Sequence, residues 1–397
     1  MPSINNSNIT DYDIAIIGGG IQGVGVAQAA AAAGYTVAVF EKTAIASATS
    51  SKSSKLIHGG LRYLESGQFR LVRKSLLERE RLIKLAPGLV KPISFYIPIY
   101  TQTTRKAWQI GIGLFLYRIL GSFKKYTRFK RINISNNKVL PIKGLLGKDL
   151  KTVYQYYDAQ TDDRLLTEAV MHSAQSLGAT LYCPAEVTQI DFKEGCYIIK
   201  VKKTQSANNT ISAKFVVNVA GPWVNDVLMK VTGTDVIKMD CDLVQGTHIV
   251  IDAPAPEGVI YVEAPQDKRA VFIMPWKNKT LVGTTEKVYS GDPAKVVATE
   301  AEVEYLKEIY TYYMPQQSVN VVETFAGVRV LPKLETSIFS RPRDTLLHCS
   351  AKNLLTLYGG KLTSYRATAE EVMGKIEASL SGNKLGKRKS TREIHLV

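Results

Sequence analysis

A strand–turn–helix–strand unit at the N-terminus restricts this chain more than any other feature. Residues 13–17 (DIAII) are apolar after Asp13 and mostly β-branched, the composition of a short strand buried on both faces. Gly18, Gly20 and Gly23 follow with the spacing G-x-G-x-x-G. Val24 to Ala33 is alanine-rich and helical in pattern, and Gly34 is placed to stop it. Tyr35 to Phe40 predicts a second strand, closed by Glu41. Glycines at these positions allow a tight turn and a close backbone approach to a pyrophosphate, whose charge rests on the helix N-terminus. A carboxylate ending the second strand accepts ribose hydroxyls and repels a ribose 2′-phosphate, which points to a dinucleotide other than NADP.

The next stretch, Ser47 to Leu64, reads SATSSKSSKLIHGGLRYL. Its hydroxyls on Thr49, Ser50, Ser51, Ser53 and Ser54 suit a loop laid along a phosphate-bearing cofactor. His58, Gly59, Gly60 and Arg62 then bring a titratable ring, a flexible turn and a fixed cation close together.

At 397 residues the chain can bury a large core and divide into two domains. Apolar residues make up 45% and charges are interspersed, which excludes a disordered chain. The net charge of +16 favours an anionic partner: a membrane surface, nucleic acid or a phosphorylated substrate. Cys183, Cys196, Cys241 and Cys349 form no C-x-x-C, which argues against zinc, redox dithiols and a disulfide scaffold and fits a reducing compartment. The polar start lacks the apolar segment of a secretory signal, and no window reaches the roughly 18 continuous apolar residues of a spanning helix. These features predict a cytoplasmic protein without a resident metal.

Further along, Phe69 to Leu85 has helical spacing with many charges and ends at Ala86, Pro87 and Gly88. Ile93 to Tyr100 predicts a strand that opens a second domain. Trp108 to Leu120 is apolar but short, and residues 123–131 (FKKYTRFKR) set five cations among three aromatics. Two readings stand for this pair: a core helix with a solvated basic turn, or an interfacial helix whose flank meets anionic lipid through Lys124, Lys125, Arg128, Lys130 and Arg131. Basic and aromatic residues together also suit single-stranded nucleic acid, but no RNA-binding module surrounds them. Asp162, Asp163 and Arg164 open a helix running from Leu165 to Leu177, where carboxylates suit the dipole, and they are assigned no chemistry. Asp242 to Tyr313 alternates like an antiparallel sheet before a helix from Glu300. Leu354 to Tyr358 is a strand entering GGKLTSYR at 359–366, whose helix offers a second N-terminus toward the cofactor. The tail is basic and is expected to be mobile.

The segments SSKLIHGGLRYLE (53–65), NVAGPWV (218–224), FAGVRVL (325–331) and YGGKLTSYR (358–366), in this order, resemble the FAD-dependent glycerol-3-phosphate dehydrogenase family. That family belongs to the flavoprotein group that includes the D-amino-acid oxidases, and the match runs from about Tyr12 to about Ile376. The resemblance implies an α/β protein, α+β overall. Its Rossmann-like FAD-binding domain, on a parallel sheet, is discontinuous over 11–92, 150–235 and 325–380. A substrate domain on a mixed or antiparallel sheet takes 93–149 and 236–324, and a basic tail takes 381–397. It further implies FAD held along Gly18, Gly20, Gly23, Glu41, Thr49, Ser50, Ser54, Val187, Gly221, Gly360, Lys361, Leu362 and Thr363. By the same resemblance Arg62, Tyr63, His248, Arg329 and Lys361 are expected to line the substrate pocket. Larger members continue into a C-terminal helical domain that this sequence lacks, which leaves partner binding, oligomeric state and electron acceptor open.

The chemistry implied is oxidation of sn-glycerol 3-phosphate to dihydroxyacetone phosphate, with a hydride passing to flavin N5 and a proton to a base. Arg62, Arg329 and Lys361 can supply cations for the phosphate. Arg329 can instead steady charge developing on the C2 oxygen, and Lys361 can instead balance reduced flavin. His58 is the first choice for the base, because histidine titrates near working pH; His248 is the second, or merely orients substrate. Electrons would pass to quinone from a site peripheral on the inner face of the cytoplasmic membrane. Three alternatives stand beside this one: an oxygen-using oxidase, an FAD oxidoreductase of another anionic alcohol or amine such as a 2-hydroxy acid, and a flavin-binding module acting without turnover.

Overall fold

In a computed structural model, which describes residues 9–134, 142–203, 209–333, 345–380 and 389–396, two sheets share one cleft. The first is ordered Val231–Thr232, Ala185–Lys193, Cys196–Lys203, Asn209–Asn218, Ile9–Ile17, Val37–Phe40, Thr180–Tyr182, and Leu354–Tyr358 also pairs with Asn209–Asn218. Its heart is parallel, with Ile16 beside Val39 and Ile17 beside Asn218. The expectation of a parallel sheet needs one correction. Ala185–Lys193, Cys196–Lys203 and Asn209–Asn218 run antiparallel, so the sheet is mixed. Short connections between these strands leave no length for a crossover helix, and only crossovers make neighbours parallel.

Four parallel strands carry their C-terminal ends to the same edge. Ile17 leads into Gly18, Phe40 into Glu41, Asn218 toward Gly221, and Tyr358 into Gly359. In open α/β sheets that edge is where ligands bind. Helix α1 (Ile21–Ala32) covers one face, and the described residues also form α2 (Phe69–Leu85), α3 (Ala107–Leu120), α4 (Asp163–Ser176), the short α5 (Val224–Leu228), α6 (Glu300–Tyr313) and α7 (Tyr365–Ser379). Helices α4 and α7 pack on α1, and Val24, Ala27, Val170 and Val372 meet in the core there.

The second sheet is mixed and mainly antiparallel. It contains Cys241–Ile251 paired with Val321–Pro332, and Val90–Tyr100 paired with Leu150–Thr161. Residues 150–161 and 325–332, which the family pattern puts with the FAD unit, therefore lie in the second sheet. Apolar alternation marks a segment as strand but does not say which sheet it joins. Helix α2 forms over the predicted span, and part of its charge is buried. Glu78, Arg79 and Glu80 are buried, and Arg366 of α7 makes two 2.7 Å bonds to Glu78.

Residues 381–388 of the expected mobile tail lie outside the described residues. Residues 389–396 are tied to the body at several points: the Leu396 N–H bonds the Leu85 carbonyl at 2.7 Å, and Arg392 pairs with Glu370 at 3.0 Å. Among the described residues, no helix is long and apolar enough to cross a membrane.

Candidate active site

The edge formed by the strand ends opens into a cleft of about 900 Å³ between the two sheets. Its first wall is nearly all backbone. Gly18 has φ +120, and a Cβ there would stand 2.5 Å from the Val219 carbonyl oxygen. Gly23 does not line the cleft; a Cβ on it would meet the Gly18 carbonyl oxygen at 1.9 Å, so it sets how closely α1 approaches the turn. Glu41 reaches back across the turn and accepts the Gly19 N–H at 2.8 Å and the Thr43 N–H at 2.9 Å. On the far side Gly360 has φ +120, and a Cβ there would stand 2.8 Å from the Gln22 amide nitrogen, which donates to the Lys361 carbonyl at 3.1 Å.

The hydroxyl-rich loop staples these parts together. Ser50 Oγ accepts the Ile21 N–H at 2.9 Å, and Thr49 Oγ1 donates to the Val328 carbonyl at 2.6 Å. Ser53 donates its N–H and Oγ to Asp163 Oδ2 at 2.9 and 2.6 Å. Lys55 Nζ meets Asp163 Oδ1 at 2.6 Å, and both side chains are buried. Asp163, read from sequence only as a helix N-terminus, is thus the anchor of the loop; its neighbour Asp162 is the cap, accepting the Arg164 and Leu165 N–H groups. Breaking a buried pair of this kind leaves an uncompensated charge, which costs about 3–5 kcal/mol. No spacing rule links Lys55 to a residue so distant in the chain.

The second wall comes from the antiparallel sheet and carries the titratable groups. His248 Nε2 bonds Ser54 Oγ at 2.9 Å, and the ring stacks on Phe325 at 5.0 Å between centroids. A Cβ on the facing Gly283 would stand 2.1 Å from the His248 ring, so glycine there gives the imidazole its place. Burial first, then the charges of Lys55 and Arg329, lower the His248 pKa to about 3. His58 lines the cleft opposite and keeps part of its surface open to it, yet the atoms around it exclude bulk water. That desolvation lowers its pKa to about 4 against the opposing pull of Asp158, with Lys361, Arg62 and Arg79 adding to the lowering. Both rings are therefore neutral at pH 7.

The cations fall less simply than the motifs suggest. Lys361 Nζ sits 3.8 Å from the centroid of the Tyr63 ring, and both residues line the cleft. Arg329 also lines it, but pairs with the buried Glu286 at 2.9 Å. That pairing cancels part of the charge Arg329 brings to the cleft. Glu286 escaped the sequence reading because no motif contains it. Arg62 is not a lining residue of the cleft; it lies near enough to His58 and Tyr261 to act on both electrostatically. Thr49, Ser50, Ser54, Val187, Gly221, Leu362 and Thr363 all line the cleft with Gly18, Gly20 and Glu41. Among the described residues no cluster of His, Cys, Asp and Glu has metal-ligand geometry.

A dinucleotide fits this arrangement on the structure's own terms. The glycine turn is a cradle that any Cβ would fill, and the cleft is near the top of the range of about 300–1,000 Å³ for small-molecule sites. Gln22 Oε1 and His248 Nδ1 are buried without a hydrogen-bond partner among the described residues, as groups awaiting a ligand would be.

Comparison with known proteins agrees. The family model described as FAD dependent oxidoreductase matches residues 13–372. Glycerol-3-phosphate dehydrogenase of Pseudomonas tolaasii is 38% identical over 377 residues, covering 92% of this chain and 71% of its own length. D-erythritol 1-phosphate dehydrogenase of Brucella abortus is 34% identical over 377 residues, covering 92% of this chain and 73% of its own. Among solved structures, glycerol-3-phosphate dehydrogenase from Bacillus halodurans complexed with FAD superposes with a TM-score of 0.73 at 26% identity, covering 97% of this chain and 68% of that one.

Proposed function

From the premise that this chain belongs to the FAD-dependent oxidoreductase family, we propose that it oxidises sn-glycerol 3-phosphate to dihydroxyacetone phosphate and works while resting on an anionic membrane surface. The observation that carries the substrate reading is the cleft itself. A dinucleotide cradle runs directly into a chamber holding two neutral imidazoles and the cations of Lys361 and Arg329. When bound, FAD supplies the acceptor for the hydride leaving C2. His58, neutral and open to the cleft, takes the proton of the C2 hydroxyl. His248, steadied by Ser54, holds that hydroxyl in place, Lys361 and Arg329 hold the phosphate, and the nearby Arg62 adds positive charge.

The Brucella relative supports a second reading, a longer polyol phosphate with the same phosphate-bearing end. Anaerobic mixing of the yellow protein with each candidate separates the two by which one bleaches the flavin fastest. Glycerol, without phosphate, should bleach it very slowly. Arg329→Leu should keep the flavin spectrum and lower kcat/KM for glycerol 3-phosphate roughly a hundredfold, since losing a hydrogen bond to a charged group costs about 1.5–3 kcal/mol. Parent kinetics in that variant would remove Arg329 from the phosphate site. Reoxidation by air or by quinone then separates an oxidase from a dehydrogenase.

The membrane reading rests on α3. Its outer face exposes Trp108 (60%), Ile112 (53%) and Phe115 (51%), and Phe123 (57%) lies just beyond its end. The exposed cations Lys124, Lys125, Arg128, Lys130 and Arg131 flank that face. Apolar side chains beside cations match an anionic leaflet in both properties. Quinone is apolar, so an enzyme feeding it gains by holding its flavin near the bilayer.

A further inference from the structure

Behind His58 lies a buried polar network that the reaction above does not use. The Tyr117 hydroxyl accepts the Gly59 N–H at 2.8 Å and faces Asp158, with Oδ1 at 2.9 Å and Oδ2 at 2.7 Å. Arg79 holds the same carboxylate at 2.5 Å and bonds the carbonyls of Tyr157 and Tyr126 at 2.8 and 2.9 Å. Tyr117, Asp158 and Arg79 are each 1% exposed or less. Burial, with the Asp158 charge beside it, pushes the Tyr117 pKa well up, so the hydroxyl keeps its proton and must donate to the carboxylate. Its lone pair is then aimed at one backbone group, the amide next to His58.

The fit around that amide is close. A Cβ on Gly59 would stand 2.4 Å from the Tyr117 oxygen and 2.6 Å from Leu76 Cδ2. On the other side the His58 N–H donates to Thr363 Oγ1 at 3.1 Å, from the turn that carries Lys361. The base is therefore held between a hydroxyl of the turn at 359–363 and a hydroxyl of α3, with Arg79 and Asp158 fixing the latter.

We propose that Tyr117 is a positioning residue of the reaction: with Asp158 and Arg79 it fixes the Gly59 amide and thereby aims the His58 ring at the bound alcohol. This rests on the substrate reading given above. A small displacement of a base is costly, since a misplacement of about 1 Å can slow a reaction about a hundredfold. If the network only glued α3 to the core, loosening it would affect stability and leave the chemical step intact.

The test uses FAD-loaded Tyr117→Phe, which removes one oxygen and keeps the ring. The Gly59 N–H then has only Asp158 Oδ1, at 3.3 Å. Anaerobic stopped-flow with whichever polyol phosphate bleaches the parent should show the limiting rate of flavin reduction falling about tenfold or more. The half-saturating concentration should move by less than about twofold, the split expected when a transition-state interaction alone is lost. Amide exchange across 56–64, followed by mass spectrometry, should quicken at Gly59. Unchanged reduction rate and exchange would overturn the proposal. So would loss of FAD or of the fold in Tyr117→Phe, which would make the contact purely structural. If no polyol phosphate bleaches the parent, the substrate reading fails, and the Gly59 exchange still reports whether Tyr117 holds the turn.

Discussion

Helices α1 and α3 are similar in length and mostly apolar, yet they lie at opposite extremes of burial. In α1 eleven of the twelve residues are buried; in α3 only Leu114 and Tyr117 are. Side-chain size separates them. Helix α1 is built mainly of glycine, alanine and valine, so a sheet and two helices can approach it closely; a Cβ on Gly25 would stand 2.7 Å from the Tyr365 ring. Helix α3 approaches the core with one face only, where a Cβ on Gly111 would meet Tyr154 Oη at 3.1 Å. Trp108, Ile112, Phe115 and Ile119 project the other way. Apolar content alone therefore says that a helix avoids water, not what it avoids water with.

Gly23→Val attacks the comparison where α1 is tightest. The added side chain would collide with the Gly18 carbonyl, a backbone atom that cannot swing aside, so the cost should exceed about 4–5 kcal/mol. Purification should yield colourless or insoluble protein. A yellow, folded Gly23→Val would show that α1 is not held against the turn as described.

Acid should weaken the interior less severely. His58 and His248 have folded pKa values of about 4 and about 3, below the ordinary 6.5. The unfolded chain then binds more protons, so stability is full above about pH 6.5 and falls as pH drops toward the folded values, by at most about 2 kcal/mol per ring at pH 5. Melting temperature should decline between pH 7 and pH 5, and His248→Asn should flatten part of that decline. An unchanged slope in the variant would mean the His248 ring is not desolvated.

The smallest effect on stability belongs to the exposed face of α3. Trp108→Ser with Phe115→Ser should shift stability by no more than about 0.5 kcal/mol, the usual range for surface changes. Cosedimentation with anionic vesicles should lose its salt-resistant part. Changing Lys124, Lys125, Lys130 and Arg131 to Gln should instead remove the salt-sensitive part, since exposed charges near a leaflet contribute about 1 kcal/mol each and salt screens them. Equal vesicle binding by parent and both variants would exclude this face as the membrane contact.

Local order was legible in the sequence wherever backbone geometry or a short repeat dictates it. The spacing of Gly18, Gly20 and Gly23, Glu41 at the end of its strand, the turn at Gly359 and Gly360, and the helical span Phe69 to Leu85 all stand where the pattern predicts. Glycine is required where the chain turns left-handed or another backbone comes close, and such constraints are local. Pairings across the chain were not legible. Lys55 on Asp163, Arg329 on Glu286, Tyr117 on Asp158 and the membership of 150–161 in the second sheet join residues from distant segments. A charge or hydroxyl on a helix reads the same from sequence whether it meets water or a buried partner. Only the packing of the two sheets and their helices decides which, because burial makes an unpartnered polar group too costly to leave.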